Sequence, residues 1–549
     1  MAFYNNAVPF GTQIERYSWY IAVQIITVYC SIKNMQILRF FFLVLLIPAQ
    51  PTKGWSLKSF QSYNIVDFGA AMNDTSFNSK VAIQGAIDAC ANAGGGRVTV
   101  PRGVFMTGSL RLKSRVELHL EAGAVILGSL KHGDYDRNIW SALILAKGAR
   151  GVSITGSGTI DGRGLAVARA IDSLVKAGLL TDSYRNNRPD EINRPQLIDF
   201  VECEDVRIEG VILRNSSCWV QTYTHCRKLR IEGIRVESTA YWNNDGMDIV
   251  DCQWVRVTGC RLNVSDDGIC LKSGDATSKC KDVVIKDCVV RSSASALKFG
   301  TFSYGGFVQV KVRNLEVYDT YRSAIALECV DGGSIDGVDI RHVRVRHSGN
   351  AIFIKLGRRN TKVAEGVIRN ILISDVEADI PNVKPDKGYP MEGPVDKEAY
   401  NLLPSSIMGL PGHSIEKVRL EDIVIHYGGG SRKEIAYMPI DSLSKVPERP
   451  ADYPEFSMLG ELPAWGFYFR HVSGVKCNRV RIDCLGHDYR PGFVADDVKD
   501  LSISNSVIGS QDSPSDMVLW HVEVVKPIKL TNKSVGIRRK ANSVLILPD

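Results

Sequence analysis

From residue 206 onward, apolar and polar residues alternate in short bursts that recur along the chain. VRIEGVIL starts at Val206, and the theme returns as LRIEGIRV at Leu229, VRVTGCRL at Val255, VVIKDCVV at Val283, VKVRNLEV at Val310, VDIRHVRV at Val338 and VRLEDIVI at Val418. Each burst alternates with period two, breaks at a small or polar pair and resumes, as short strands joined by tight turns do. Between Val206 and Val338 successive starts lie 23 to 28 residues apart, the self-similarity of a solenoid. Strands this short cannot bury a face alone and must stack. The units carry no helical segments and lack the L-x-x-L-x-L signature of leucine-rich repeats. The predicted fold is therefore all-β, a right-handed parallel β-helix. VKCNRVRI at Val475 resumes the ladder after a Pro-rich interruption over residues 381–411. One stretch departs from the pattern: in residues 79–98, Val81, Ala82, Ile83, Ala86, Ile87 and Cys90 predict a short amphipathic helix ending at Gly94. It would cap the N-terminal end of the stack, where an open coil exposes unpaired strand edges.

Composition narrows the function classes. With 549 residues, 44% hydrophobic and 8% aromatic, the chain can bury a large core and is neither disordered nor collagenous. Its net charge of +7 is scattered, which disfavours nucleic acid as a partner and permits an anionic polymer. Two apolar segments precede the ladder. The second runs from Met35 through Arg39 and an apolar core at residues 40–47 to Pro48 and Ala49, the layout of a secretory signal peptide. The expected organisation is a doubtful extension over 1–34, a signal peptide over 35–54 and a single β-helix domain over 60–545, in a secreted protein of the extracellular space or cell wall. A signal anchor built from both segments is the rival. Twelve of the thirteen cysteines follow the signal segment without a CxxC pair, and Asn-x-Ser/Thr sequons start at Asn73, Asn215, Asn263 and Asn532; both suit an oxidising route.

WNNDGMD ends the Leu229 unit and SDDGIC stands at the matching place in the Val255 unit. Adjacent coils lie about 4.8 Å apart, so Asp245, Asp266 and Asp267 are expected to meet on one surface. Like charges at that range push at least one pKa upward, leaving one acid protonated while another is ionised. Hydrolysis of a glycosidic bond uses that asymmetry. Two other readings stay open here: Asp-Gly pairs also make tight turns, and clustered carboxylates also bind calcium.

NNDGMD and SDDGIC, together with NIVDFGA, AIQGAIDAC, GGGRVTVP, LHLEAGAVILGS and ITGSGTIDGRG, resemble the glycoside hydrolases of family 28, the polygalacturonase group. The likeness runs over most of the chain from about Tyr63. It implies Asp266 as general acid, Asp245 and Asp267 as the pair that positions and deprotonates water, and inversion at the anomeric carbon. Departures mark a divergent branch: Ala294 stands at the place of the family's Gly-His-Gly histidine, and Ile325 and Leu327 at that of its Arg-x-Lys. Lys272, Lys298, Lys355 and Arg358, with Arg359 beside it, are the candidate substrate-binding cations. Tyr241, Trp242 and Trp465 are candidate stacking platforms. The expected activity is hydrolysis of pectic polysaccharide, galacturonan or rhamnogalacturonan, by a monomer that needs no cofactor or metal ion. A calcium-dependent pectate lyase and a non-catalytic carbohydrate-binding solenoid are the rivals. Cys260 and Cys288 hold the same place in successive units and are expected side by side, as a disulfide or as stacked thiols.

Overall fold

The computed structural model describes residues 61–184, 188–385, 403–430, 440–509, 517–524 and 528–531, with two short strands at Ile537–Arg539 and Val544–Ile546. The two apolar N-terminal segments and Asn532 lie outside the described residues. Residues 59–549 form one compact unit, and no helix in the described residues is long and apolar enough to cross a membrane.

Every pairing between named strands is parallel, each strand bonding to its counterpart one coil on, in a right-handed β-helix. The starts of the repeated units stack in one column: Val206 pairs Leu229, then Val255, Val283, Val310 and Val338 follow in register. The column continues through Ile371, Val418 and Val475. Alternation explains the core, because every second residue of a rung points inward; Val206, Ile231, Val257 and Ile285 are all sealed from solvent in one continuous apolar cluster. Each such side chain contributes about 1.5–3 kcal/mol of burial free energy.

Helix α1, Lys80–Asn92, lies against the first coil and buries Ala82, Ile83, Ala86, Ile87 and Cys90. Val81 does not join that face and is 85% exposed. A second helix, α2, Gly164–Lys176, was not expected from the rung pattern; its buried Gly164, Val167, Ala168 and Ile171 form an i, i+3, i+4, i+7 stripe. Its first turn is pressed to the coil, the Gly164 amide donating to the Asn215 carbonyl at 2.6 Å. The chain after α2 supplies one wall of the site.

Four strands carry the site itself: β1, Met247–Val250; β2, Ile269–Ser273; β3, Leu297–Ser303; and β4, Gly306–Cys329. They stack in that order. Residues 440–465 cross the outside of later coils. There Leu443, Phe456 and Leu462 form a second apolar cluster with Phe353, Tyr468 and Val494, and this brings Tyr453 and Glu455 to the site.

All twelve described cysteines are free thiols. Thr258 pairs Lys286 and Arg261 pairs Val289, so Cys260 faces Cys288 across adjacent coils, the two standing as stacked free thiols whose Sγ atoms donate to backbone carbonyls.

Candidate active site

The bends before β1 and β2 are set by close packing between coils. Gly246 donates its amide to the Asp267 carbonyl at 2.8 Å, and Gly268 donates to Ser295 at 2.8 Å. A Cβ on Gly246 would sit 2.6 Å from the Gly268 carbonyl oxygen, and one on Gly268 would sit 2.4 Å from Val290 and 2.6 Å from the Ala296 oxygen. Neither glycine has the left-handed conformation that a turn would demand. Asp-Gly here is therefore a stacking requirement, and it fixes the acids that precede each glycine.

Asp245, Asp266 and Asp267 each offer a carboxylate oxygen within 4.8 Å of the other two. Asp245 and Asp267 are buried and Asp266 is partly open. Lys272 reaches back from β2 to Asp245 Oδ2 at 2.9 Å and also bonds Asp248 Oδ1. Lys298, on β3, lies 3.1 Å from Asp267 Oδ2 and 3.9 Å from Glu328 Oε2, and donates to the Tyr453 hydroxyl at 3.1 Å. The Ser295 amide donates to Asp267 Oδ1 at 3.1 Å. Asn243 joins the cluster at 3.5 Å from Asp266 Oδ2, while Asn244, fully buried, anchors the bend through the Cys218 carbonyl and Ser238 hydroxyl.

This arrangement separates the neighbouring acids. Burial, then the charge of Asp267, raises the Asp266 pKa against the pull of Arg322 and Lys298. Burial works on Asp267 too, but Lys298, Arg322 and Lys272, with the Ser295 amide, outweigh it and hold that carboxyl below its ordinary value. Burial raises Asp245, with Lys272 opposing, and raises Asp248 to about 6. Both lysines stay protonated: burial disfavours their charge, but Asp245 and Asp248 around Lys272, and Asp267 and Glu328 around Lys298, lift them well above the ordinary value.

The acids open into a cleft of about 550 Å³ lined also by Arg188, Glu191, Trp219, Arg322, Arg359, Tyr453 and Glu455. Of the expected substrate-binding cations, Lys272 lines it and Lys298 stands directly behind Asp267. Lys355 and Arg358 are not among its lining residues. Lys355 is 2% exposed, its pKa lowered to about 8 by burial with Glu448 opposing, and Arg358 is bound to Glu365 at 2.7 Å. Arg359, one residue on, does line the cleft, paired with Asp331 at 2.9 Å. Trp465 is a core residue, 2% exposed and packed edge-on to Tyr427; Tyr241 is buried beneath Arg194. The aromatic rings at the cleft are Trp219 and Tyr453, which rung logic did not single out. Ile325 and Leu327 point into the core. Register sets Ser295, not Ala294, opposite Asp267, since Ile269 pairs Leu297.

Two acidic groups have metal-binding spacing: Asp245, Asp266 and Asp267, and Asp245, Asp248 and Cys270. In both, Lys272 already neutralises Asp245, and Lys298 does the same for Asp267 in the first. A divalent cation would have to share these carboxylates with ammonium groups.

The family model for glycosyl hydrolases family 28 matches residues 90–290, a stretch that contains all three aspartates. A probable polygalacturonase of Vitis vinifera is 23% identical over 408 residues, which is 68% of this chain and 76% of that protein. An exo-poly-alpha-D-galacturonosidase of Dickeya chrysanthemi is 39% identical over 119 residues, 18% of this chain and 19% of that one. Among solved structures, the Yersinia enterocolitica family 28 exopolygalacturonase superposes with TM-score 0.54 at 19% identity, over 87% of this chain and 78% of that one. The Thermotoga maritima exopolygalacturonase does so with TM-score 0.51 at 23% identity, over 67% and 87%. At these identities the structural likeness speaks for the β-helix alone, and it is the match of the family model over the acid-bearing coils that supports glycosyl hydrolases family 28 as the family this chain resembles, at low identity to these relatives.

Proposed function

We propose that this chain is a family 28 glycosidase that hydrolyses the backbone of pectic polysaccharide, galacturonan or rhamnogalacturonan, with Asp266 as general acid and Asp245 and Asp267 as the pair that activates water. The observation that carries this reading is the split between sequence neighbours, Asp266 raised and Asp267 lowered within one 4.8 Å cluster. In the reaction the bond from the anomeric carbon to the glycosidic oxygen breaks as that oxygen takes the Asp266 proton. Water bonds to the anomeric carbon from the opposite face and gives its proton to Asp267 or Asp245. Exchange with solvent then restores both groups. Names of the relatives, a polygalacturonase and an exo-galacturonosidase, support a pectic substrate, and the family resemblance supports inversion.

Retention has one observation in its favour. Inverting pairs usually stand about 6.5–9.5 Å apart and retaining pairs about 5–5.5 Å, and these carboxylates are close. A lyase fares worse, because both lysines beside the acids are held protonated and neither can abstract a C5 proton. The test is digestion of defined galacturonan and rhamnogalacturonan oligosaccharides, following the first-formed anomer by NMR. A new reducing end of inverted configuration is expected. A retained anomer would move Asp267 or Asp245 to the role of nucleophile, and an unsaturated, ultraviolet-absorbing product would replace hydrolysis by elimination.

A further inference from the structure

The cations expected to hold substrate are occupied by the protein itself. Lys272 is shared by Asp245 and Asp248, Lys298 by Asp267 and Glu328, and Arg359 is paired with Asp331. Arg322, which also lines the cleft, pairs with Glu455 at 2.8 Å. Each of these pairs is buried or nearly so, and breaking one to bind substrate would strand a charge.

Arg188 differs. It lies on the wall that follows α2, lines the cleft and is half-buried. Its guanidinium carbon sits 5.0 Å from the centre of the Trp242 ring. The nearby acid on its own wall, Glu191, is turned to Arg194 at 3.8 Å. Among the described residues no carboxylate forms an ion pair with Arg188 within 4.0 Å. Stacking fixes the plane of a guanidinium while leaving its edge N–H groups free, the geometry that takes a carboxylate in a two-point fork. Arg188 and Asp266 line the same cleft, so a group held by Arg188 belongs to a sugar bound alongside the acids. Trp219 and Tyr453 line the same cleft.

We propose that Arg188, stacked on Trp242, receives the carboxylate of a uronic acid residue bound in the cleft, and so makes the site selective for acidic over neutral or esterified sugars. This rests on the pectic reading above for the sugar but not for the catalytic steps. The role needs a planar cation at this place on the wall, supplied by a coil other than the one that bears Ile325 and Leu327.

Binding in an Asp266→Asn background separates the two. Calorimetric titration with a galacturonic acid oligosaccharide and with its methyl ester gives the ratio of the two Kd values. Arg188→Gln is expected to weaken acid binding by about 10- to 100-fold and to collapse that ratio. Arg188→Lys, which keeps the charge without the fork, should restore only part of it. Equal loss for acid and ester would mean that Arg188 merely shapes the wall, and an unchanged ratio would mean that another group reads the carboxylate; either overturns the proposal. Acid binding that depends on Arg188, in a protein whose wild type cleaves neither sugar, would sink the hydrolase reading and leave this one standing.

Discussion

Asp266 and Asp267 are neighbours in the chain whose carboxyls are shifted in opposite directions, and the difference comes from what each side chain touches. Asp267 is surrounded by Lys298 and the Ser295 amide, whereas Asp266 keeps only its neighbour's amide and a 3.5 Å contact with Asn243. Asp266→Asn removes the proposed proton donor with little change of shape. Turnover should fall by about 10²- to 10⁴-fold with an unchanged circular dichroism spectrum; a variant at wild-type rate would remove Asp266 from the mechanism. Lys298→Met tests the other half. Without the ammonium the depressed Asp267 pKa rises, so the acid-side limb of kcat/KM against pH should move upward, each unit costing about tenfold in ionised base below it. A limb that stays in place would transfer the base role to Asp245. The three acids were legible in the sequence because two Asp-Gly clusters recur at one place in consecutive rungs. The cations were less so. Strand alternation does not tell an outward side chain in the cleft from one beneath the covering segment, as Lys355 is, and a shift of one residue separates Arg358 from Arg359. Tyr453, Glu455 and Arg188 come from loops that no repeat announces.

Rungs were the most readable elements, since alternation alone predicts which side chains point inward and the interval between units predicts which ones stack. One rung, at Ile371, escaped because residues 357–366 lengthen the loop before it. Helix α2 escaped because its period-3.6 stripe sits among period-two segments. The Asp-Gly pairs read as turns in the sequence, yet Gly246 and Gly268 are demanded by backbone of the next coil. Gly268→Ala should therefore act on both fold and site. The new methyl meets the Ala296 carbonyl oxygen at 2.6 Å, and the coil must shift at a cost of about 1–3 kcal/mol, carrying Asp266 and Asp267 with it. Thermal unfolding and kcat should fall together. If Gly268→Ala unfolded at the wild-type temperature, the bend would be a free turn and its hold on the acids would be lost.

Across the whole molecule, the buried acids set the response to pH. Burial raises Asp199, Asp248 and Asp496 to about 6 and Glu328 to about 8, against unfolded values of about 3.9 for Asp and 4.3 for Glu. A carboxyl whose folded pKa is raised contributes stability that is complete below its unfolded pKa and lost as pH climbs through the folded one. These four therefore favour the fold at acid pH and cost it stability between about pH 4 and 8. Surface acids such as Asp422 and Glu204 run the other way: hydrogen bonds from Arg479 and Lys228 hold them low, so their contribution is present above the unfolded value and disappears only in stronger acid. Lys355, depressed to about 8, adds stability only as pH rises from there toward its unfolded value of about 10.4. The two carboxylate populations together give a melting temperature that peaks on the acid side, at about pH 5, and declines toward pH 8. Glu328→Gln, which keeps the shape of the side chain and cannot ionise, should flatten the upper part of that decline when Tm is measured across the range. A wild-type Tm that rises steadily from pH 5 to pH 8 would mean these acids are ionised in the fold and compensated by the lysines and arginines around them. Asp266 could then no longer be relied on to hold its proton, because the same burial that raises Glu328 beside Lys298 raises Asp266 at the mouth of the same cluster.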